Sequence, residues 1–586
     1  MSFIKQKDFY RLMSDAYFQE IVSVLKEQPK NKLDLQHLKV DLARKHGMPK
    51  IPSDNEILLH ADARDIPHLS ATLSCKPVRT IAGVAPVAIM TKPSNCPHGR
   101  CTYCPGGLNS TFGDVPQSYT GHEPATLRGK RNKYDAYLQV FNRLEQYAVM
   151  GHSFDKVEII VMGGTFPATP SEYQNEFIHD TFKALNDFGE LFVNDGKVDI
   201  DTFKSFFELP SNFRDDKRVQ RVQEKLLALK QKSSTLQDEQ QRNETAHVRC
   251  VGLTIETKPD CAKLQHANIM LAQGCTRVEL GIQSVYEDVI KKVHRGHTVN
   301  DSIESMRILK DLGFKINAHY MPGLPLTNRA RDLAGMKLLF DSPDFRPDML
   351  KIYPCMISKG TGLYAEYLQG TFKPLTTDEA ASLIAEWKPH VPTYCRVQRV
   401  QRDVPTKYWA DGVQLTNLRQ YIHEKYKPNC RCIRCREPRG RPVNYDAVQI
   451  TSQEYDANGG TEIFISAEDT KTDLILGFCR LRIPSQCLRP EITPQTALIR
   501  ELHVYGTAVG IGTGAGHVQH RGYGRKLLET AERMAHDKFG KNKIVVISGV
   551  GVREYYRKFG YSQDGPYVSK RVWRTLNNYQ ICQSSQ

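Results

Sequence analysis

Short apolar runs alternate with stretches of helical periodicity through much of this chain, and that alternation limits the fold more than any other feature. The runs are VAIMT (87–91), VEIIVMGG (157–164), VGLTIET (251–257), RVELGIQS (277–284), KINAHYMPGLP (315–325) and MLKIYP (349–354), with helical stretches such as DSIESMRILKDLG (301–313) in the gaps. Strands separated by helices cannot fold back as hairpins, so they pair in parallel. The expected fold class is α/β, with residues 76–354 forming a partial or full β/α barrel. A charged stretch, 190–247, interrupts the rhythm and reads as a solvent-exposed helical insertion.

At 586 residues the chain exceeds one core, and further domains are expected on either side. Residues 1–75 carry FYRLMSDAYFQEIVSVLKE and LDLQHLKVDLARKHG, two apolar-periodic stretches with Lys and Arg on their polar faces, which predict a small basic helical module. Residues 355–440 mix helix with the cluster CRCIRC and read as a linker. From 441 to 586 the strand-like runs EIFISAE, LILGFCRLRI, ALIRELHVYG and KIVVISG enclose one helix, GRKLLETAERMAHDKFG, giving a second α/β domain. No apolar run reaches the ~18 residues a membrane span needs, and the N-terminus carries acidic residues unlike a targeting segment, so the expectation is a cytoplasmic protein with no membrane contact. Lys and Arg outnumber Asp and Glu by 80 to 65, for a net charge of +15, which favours a polyanionic partner.

Six of the fifteen cysteines fall into two tight groups. Such clustering in an odd-numbered set, without a secretion signal, points to metal rather than disulfides. Cys96, Cys101 and Cys104 lie in CPHGRCTYCPGG, directly after the first strand run, where β/α enzymes carry their chemistry. Three thiolates can hold three irons of a 4Fe–4S cluster and leave the fourth open to a small molecule. A closed structural zinc would need a fourth ligand, for which His98 is the local alternative. The spacing resembles that of radical S-adenosylmethionine (SAM) enzymes, with a first gap one residue longer than their usual CxxxCxxC. Gly163 and Gly164 in MGGTF, ending the next strand run, would let backbone approach the amino group of the methionine moiety. The second group, Cys430, Cys432 and Cys435, offers three ligands for a structural zinc, with Cys355 as first choice for the fourth and His423 as second.

In the C-terminal domain, QHRGYGRKLLETAERMA places Gln519, Arg521, Gly522 and Gly524 just before an amphipathic helix. Glycines there let backbone N–H groups turn toward an anion at the positive helix end. Its order between two strands is similar to the pyrophosphate turn of GNAT acetyltransferases, and GVREYYRKFGY resembles their last helix, with Tyr555 or Tyr556 near a thioester.

CPHGRCTYCPGG, QSYTGHEP, MGGTF, TIETKPD, ELGIQS, RGHT, INAHYMPGLP, LKIYP, NLRQY, ELHVYG and SGVGVREYYRKFGY occur in that order. Together they resemble the catalytic third subunit of Elongator and its stand-alone prokaryotic relatives over residues 75–580, the insertion excepted. The resemblance implies a tRNA uridine acetyltransferase that builds a carboxymethyl group on carbon 5 of the wobble uridine, using a 4Fe–4S cluster, SAM and acetyl-CoA. A SAM-derived radical would activate the acetyl methyl group for addition to uracil, and hydrolysis would release the thioester. By motif, Cys96, Cys101 and Cys104 hold the cluster and Lys156 contacts acetyl-CoA. Glu501, Leu502, His503 and Val504 would line the pantetheine, Tyr523, Gly524 and Arg525 would form the pyrophosphate turn, and Tyr556 would stand beside the acyl end. Implied partners are a tRNA anticodon stem-loop, met partly by the basic N-terminal module, and either Elongator-type subunits or a second copy. The rival reading is a GNAT protein lysine acetyltransferase.

Overall fold

The computed structural model describes residues 2–27, 31–62, 64–73, 83–210, 215–231, 233–506 and 522–572. Seven strands form one parallel sheet in strict chain order: β1 (Ala85–Met90), β2 (Lys156–Met162), β3 (Arg249–Thr257), β4 (Arg277–Gln283), β5 (Lys315–Tyr320), β6 (Met349–Ile352) and β7 (Arg396–Val400). Each crossover is helical, as parallel neighbours require. β1 and β7 are the two edges, so the sheet is a half-barrel rather than a closed one.

One face of the sheet is packed and the other faces an open lumen. Along β2 the residues alternate half-buried and buried, with Lys156, Glu158, Ile160 and Met162 on the lumen side and Val157, Ile159 and Val161 fully buried against the outer helices. Helix Val299–Asp311 shows the local logic. Thr298 and Asp301 form a capping box at its start, and Met306 and Leu309 are fully buried.

The second sheet comprises β8 (Val448–Ala457), β9 (Gly460–Asp469), β10 (Leu474–Ile483), β11 (Thr496–Val504), β12 (Lys543–Val546), β13 (Ser562–Asp564) and β14 (Tyr567–Arg571), in the order β8-β9-β10-β11-β12-β14-β13. All pairs are antiparallel except β11 with β12. Helix Tyr523–Asp537 buries Leu527, Leu528 and Ala531 with Ile463, Ile465 and Ile499 from this sheet. The N-terminal segment folds as expected into helices, among them Lys32–Lys45 and Asp54–His60, around a separate core of Tyr17, Ile21, Leu35 and Ile57. Among the described residues no helix is long and apolar enough to cross a membrane.

Two expectations are corrected. The parallel sheet does not end at 354, because β7 extends it into the segment read as a linker. Its sequence, RVQRV, is an edge strand whose polar positions are half-buried, so it lacks the apolar run that marks the other six. Nor is the 190–247 insertion merely solvent-exposed. Phe203, Phe207, Val222 and Leu226 join the main core, and Glu244 pairs with Arg553 at 3.0 Å and Arg557 at 2.5 Å from the second domain.

The two sheets are joined by a fully buried charge network. Arg500 reaches Asp348 at 2.6 Å and Glu462 at 2.9 Å, and Arg482 reaches Asp311 at 2.6 Å and Glu462 at 2.9 Å. Burial would raise the carboxyl of Asp348, but Arg500, Arg480 and Lys310 hold it well below the usual range. Removing one partner strands the others without water, which costs about 3–5 kcal/mol. Arg500→Met is expected to lower the unfolding free energy by about that amount, measured by denaturant titration. A loss below about 1 kcal/mol would show that the network contributes little.

Candidate active site

The cysteine triad sits where β1 ends. Cys101 and Cys104 are nearly inaccessible and Cys96 is half-buried. Each thiol has a polar neighbour. Cys96 lies 3.3 Å from the Thr165 hydroxyl, the backbone N–H of Ser118 donates to Cys104 at 3.2 Å, and the Arg295 guanidinium donates to Cys101 at 3.6 Å. His98 Nε2 stands 3.2 Å from the Cys101 sulfur, and its Nδ1 accepts from Lys258 at 2.8 Å. An ammonium donating to Nδ1 fixes the other nitrogen as N–H, so His98 is a hydrogen-bond donor to the thiolate and not a metal ligand. Burial, with Lys258 and Arg295 adding to it, pushes the His98 imidazolium down to about 4, so the ring is neutral at pH 7. Three cysteine thiols, two of them buried, backed by Lys258 and Arg295 are the donor set an anionic iron–sulfur cluster requires. Among the described residues, Cys430/Cys432/Cys435 and Glu256/Glu279/His319 draw their ligand atoms within 4.8 Å of one another, the closeness one small ion needs. Cys96, Cys101 and Cys104 are spread more widely, as ligands to separate irons must be.

Gly163 and Gly164 follow β2 with φ of +129° and +103°. A Cβ on Gly163 would stand 2.2 Å from the Thr91 hydroxyl, and one on Gly164 would touch Gln117. The turn is one only glycine fits, left-handed and closely packed, and it leads straight to Thr165 beside Cys96.

Lys156 lies at the opposite end of the half-barrel. It starts β2, in register with Arg249 at the start of β3. Gly549 and Gly551 of the second domain pack directly onto Val251 and onto Arg249 and Cys250 there, so closely that a Cβ would overlap backbone. Lys156, one strand over, is half-buried and has no ion pair among the described residues. β2 has seven residues, so the two ends are roughly 20 Å apart.

Polar side chains fill the lumen between these ends. Arg277 pairs with Glu158 at 2.5 Å and approaches Glu279 at 3.9 Å. Glu279 accepts from Asn317 at 3.1 Å, meets His319 Nε2 at 3.1 Å and pairs closely with Lys351. Lys351 also lies 3.8 Å from Glu256, which accepts from the Tyr119 hydroxyl at 2.7 Å. Burial raises Glu256 to about 7, with Lys351 opposing and Glu279 reinforcing the shift. Glu279 goes the other way, since Lys351 and His319 outweigh its burial. Although Glu256, Glu279 and His319 have a metal-like arrangement, the Lys351 ammonium already supplies the cation. Sequence reasoning missed this network, along with Lys258, His98 as a donor and Arg295 of RGHT, because the partners come from strands and loops far apart in the chain.

In the second domain, β11 and β12 pair only from Thr496 to Ile499. Beyond that, Glu501, Leu502, His503 and Val504 run on with β10 on one side only. The Glu501 carboxylate is taken by Arg480 at 2.9 Å, leaving backbone as what the strand offers. Gly522, φ +76°, caps helix Tyr523–Asp537 without a side-chain cap bond, the arrangement its sequence called for at an anion-binding helix start. A Cβ on Gly524 would meet the Tyr555 hydroxyl at 2.7 Å and Val504 at 3.6 Å, which brings strand, turn and tyrosine to one place. Arg525 is exposed and pairs with Glu529 at 2.7 Å, and Tyr523 is buried. Tyr556, the tyrosine expected beside the acyl group, is buried in the domain core with Cys479 and Ile499, and Tyr555 is the one at the turn. Gln519 and Arg521 lie outside the described residues.

The cysteines of CRCIRC converge, with Cys432 and Cys435 sulfurs 3.7 Å apart and Lys388 3.9 Å from Cys435. Cys355 does not join them. It is fully buried in another cluster, with Cys101, Cys104 and Met321, because KIYPC leads into the radical-site end of the barrel.

The model of the ELP3 N-terminal domain matches residues 15–81, that of the radical SAM superfamily 91–334, its C-terminal domain 347–427, and that of the acetyltransferase (GNAT) family 425–561. A tRNA uridine(34) acetyltransferase from Methanocaldococcus infernus is 44% identical over 532 residues, covering 89% of this chain and 92% of that one. Elongator complex protein 3 of Saccharomyces cerevisiae is 39% identical, covering 94% of each. The chain belongs to the Elongator complex protein 3 family. The solved structure of the archaeal Methanocaldococcus infernus Elp3 lacking residues 1–46 superposes with a TM-score of 0.68 at 38% identity, covering 84% of this chain and all of that one. Membership brings a radical SAM domain, which implies a 4Fe–4S cluster and SAM, and a GNAT domain, which implies acetyl-CoA.

Gly163→Ala combines a steric clash with a strained φ, and is expected to weaken SAM binding about tenfold or more while iron and sulfide content stay at wild-type levels. Unchanged affinity in equilibrium dialysis would show that this backbone turn does not touch SAM.

Proposed function

We propose that the chain is a tRNA uridine(34) acetyltransferase that installs a carboxymethyl group on carbon 5 of the wobble uridine, acting in the cytoplasm. The observation that carries this reading is the common lumen. The cysteine triad and the Lys156 end, against the GNAT cleft, open onto the same half-barrel from opposite sides. A protein lysine acetyltransferase would leave the triad, the glycine turn and the polar lumen without a use.

Cys96, Cys101 and Cys104 hold the cluster, and His98 and Arg295 donate hydrogen bonds to the Cys101 sulfur. The backbone at Gly163 and Gly164 receives the methionine moiety of SAM. With cluster and SAM bound, the site supplies a 5′-deoxyadenosyl radical able to take a hydrogen atom from the methyl group of acetyl-CoA. The helix start at Gly522–Gly524 holds the pyrophosphate, the open edge of Glu501–Val504 holds the pantetheine, and Lys156 meets the acyl-CoA from the barrel side. Tyr555, at the turn, contacts the cofactor, and Tyr556 supports it from the core. The lumen network excludes bulk water between the two ends and offers Lys351, His319 and Glu256 as hydrogen-bond partners to a carbonyl or uracil edge.

Wobble uridines from cells carrying Cys101→Ala are expected to lose the modification completely by mass spectrometry, and the protein to lose its iron. Modification at wild-type levels would defeat the proposal, as would acetyl-CoA turnover stimulated by a basic peptide but not by tRNA.

Cys430, Cys432 and Cys435 bind a structural zinc, with His423 as the remaining choice for the fourth ligand. Cys432→Ser is expected to remove one zinc per chain by elemental analysis and to lower the melting temperature. Equal zinc in both proteins would reject the site. The basic N-terminal module is assigned to tRNA contact, and either Elongator-type subunits or a second copy complete the assembly.

A further inference from the structure

Three loops meet at the triad end of the lumen and bring aromatic rings and cations together without a role so far. His122, in QSYTGHEP, stacks on Tyr408 with ring centres 3.8 Å apart and planes within 5°. Phe112 meets the edge of the same histidine at 6.2 Å, and Lys407 lies 5.1 Å from the Tyr408 ring centre. The Arg402 guanidinium stands 5.8 Å from the ring of Tyr119 and 5.9 Å from that of Tyr353. Tyr353 follows β6 directly and Arg402 follows β7 closely, so these groups line the C-terminal mouth of the barrel. They are also tied to the reacting centre, because the Ser118 carbonyl accepts from Arg402 while its N–H donates to Cys104.

Phe112, His122, Tyr353 and Tyr408 are all half-buried, the first three on irregular backbone and Tyr408 at the end of a 3-10 turn, and Lys407 and Lys359 stand exposed beside them. The nearby carboxylate of Asp403 is offset by Arg399 at 3.0 Å. Flat rings with open π-surface, interleaved with cations at the mouth of a polar chamber, are what an unpaired nucleobase stacks on; a protein partner would meet apolar side chains instead. We infer that the Tyr408–His122 pair is a stacking platform for an unpaired base of the RNA loop, holding it at the barrel mouth so that its neighbour can enter the lumen. The inference rests on the tRNA reading above and gives that substrate a contact point.

The test measures binding of a labelled anticodon stem-loop RNA, intact and with an abasic nucleotide at each loop position in turn. Tyr408→Ala is expected to weaken the intact RNA about tenfold or more, and Tyr408→Phe to restore it. One abasic position should reproduce the loss, with no further loss when that RNA meets Tyr408→Ala. The slope of log affinity against log salt should stay constant for Tyr408→Ala and fall by about one for Lys407→Ala. Unchanged affinity of Tyr408→Ala, or a loss that adds to every abasic substitution alike, would overturn the platform while leaving the tRNA reading intact. Wild-type protein that binds no stem-loop would instead defeat the tRNA reading, and the platform with it.

Discussion

The buried charge network between the sheets is the constraint on which the architecture depends. Arg480, Arg482 and Arg500 project from β10 and β11 into the base of the half-barrel, where Asp311 ends helix Val299–Asp311 and Asp348 directly precedes β6. Arg482, Arg500, Asp311 and Asp348 have no solvent exposure at all, so Asp311 and Asp348 find their guanidinium partners only when both domains are present and in one orientation. Apolar packing alone would tolerate a range of rotations. Bidentate guanidinium–carboxylate geometry does not. The open edge at Glu501–Val504 is built on the strand that carries Arg500, so fixing the arginine also fixes where that edge lies relative to the barrel.

That fixed orientation gives the lumen its meaning. In a closed β/α barrel the interior is a packed apolar core. Here the strands turn Glu158, Arg277, Glu279, Asn317, His319 and Lys351 inward. The cost of burying them is offset pairwise, from Arg277 at the GNAT-facing end to Glu256 and Tyr119 at the triad end. One ammonium, close to Glu279 and 3.8 Å from Glu256, lowers both glutamates, but at Glu256 burial outweighs it and the carboxyl is raised.

The strands with uninterrupted apolar character were legible in the sequence, and so were the two cysteine groups and the glycine turns, because each depends on residues close together in the chain. β7 and β8 were not. RVQRV and VQITSQEYDA are sheet edges with little to bury, so their composition is that of a loop. The lumen network escaped for the opposite reason, since a charge within a strand reads as surface until the sheet curls and encloses it. Cys355 was assigned to the zinc group on the strength of being a nearby thiol. The chain passes from β6 into the radical-site cluster before it turns back, and proximity in sequence was no guide to proximity in space.

Tyr556 and Tyr555 show how finely such assignments depend on backbone phase. The two are adjacent in a short helix, Arg553–Arg557, and about 100° of rotation separates their side chains. One is sealed into the core with Cys479 and Ile499, and the other reaches the Gly524 turn. A motif match over REYYR cannot distinguish them. Helix phase can, and the turn that leads into this helix carries Gly549 and Gly551, whose missing side chains let it settle directly onto the start of β3. The contact that seats the GNAT domain against the barrel therefore lies immediately before the helix that turns Tyr555 toward Gly524.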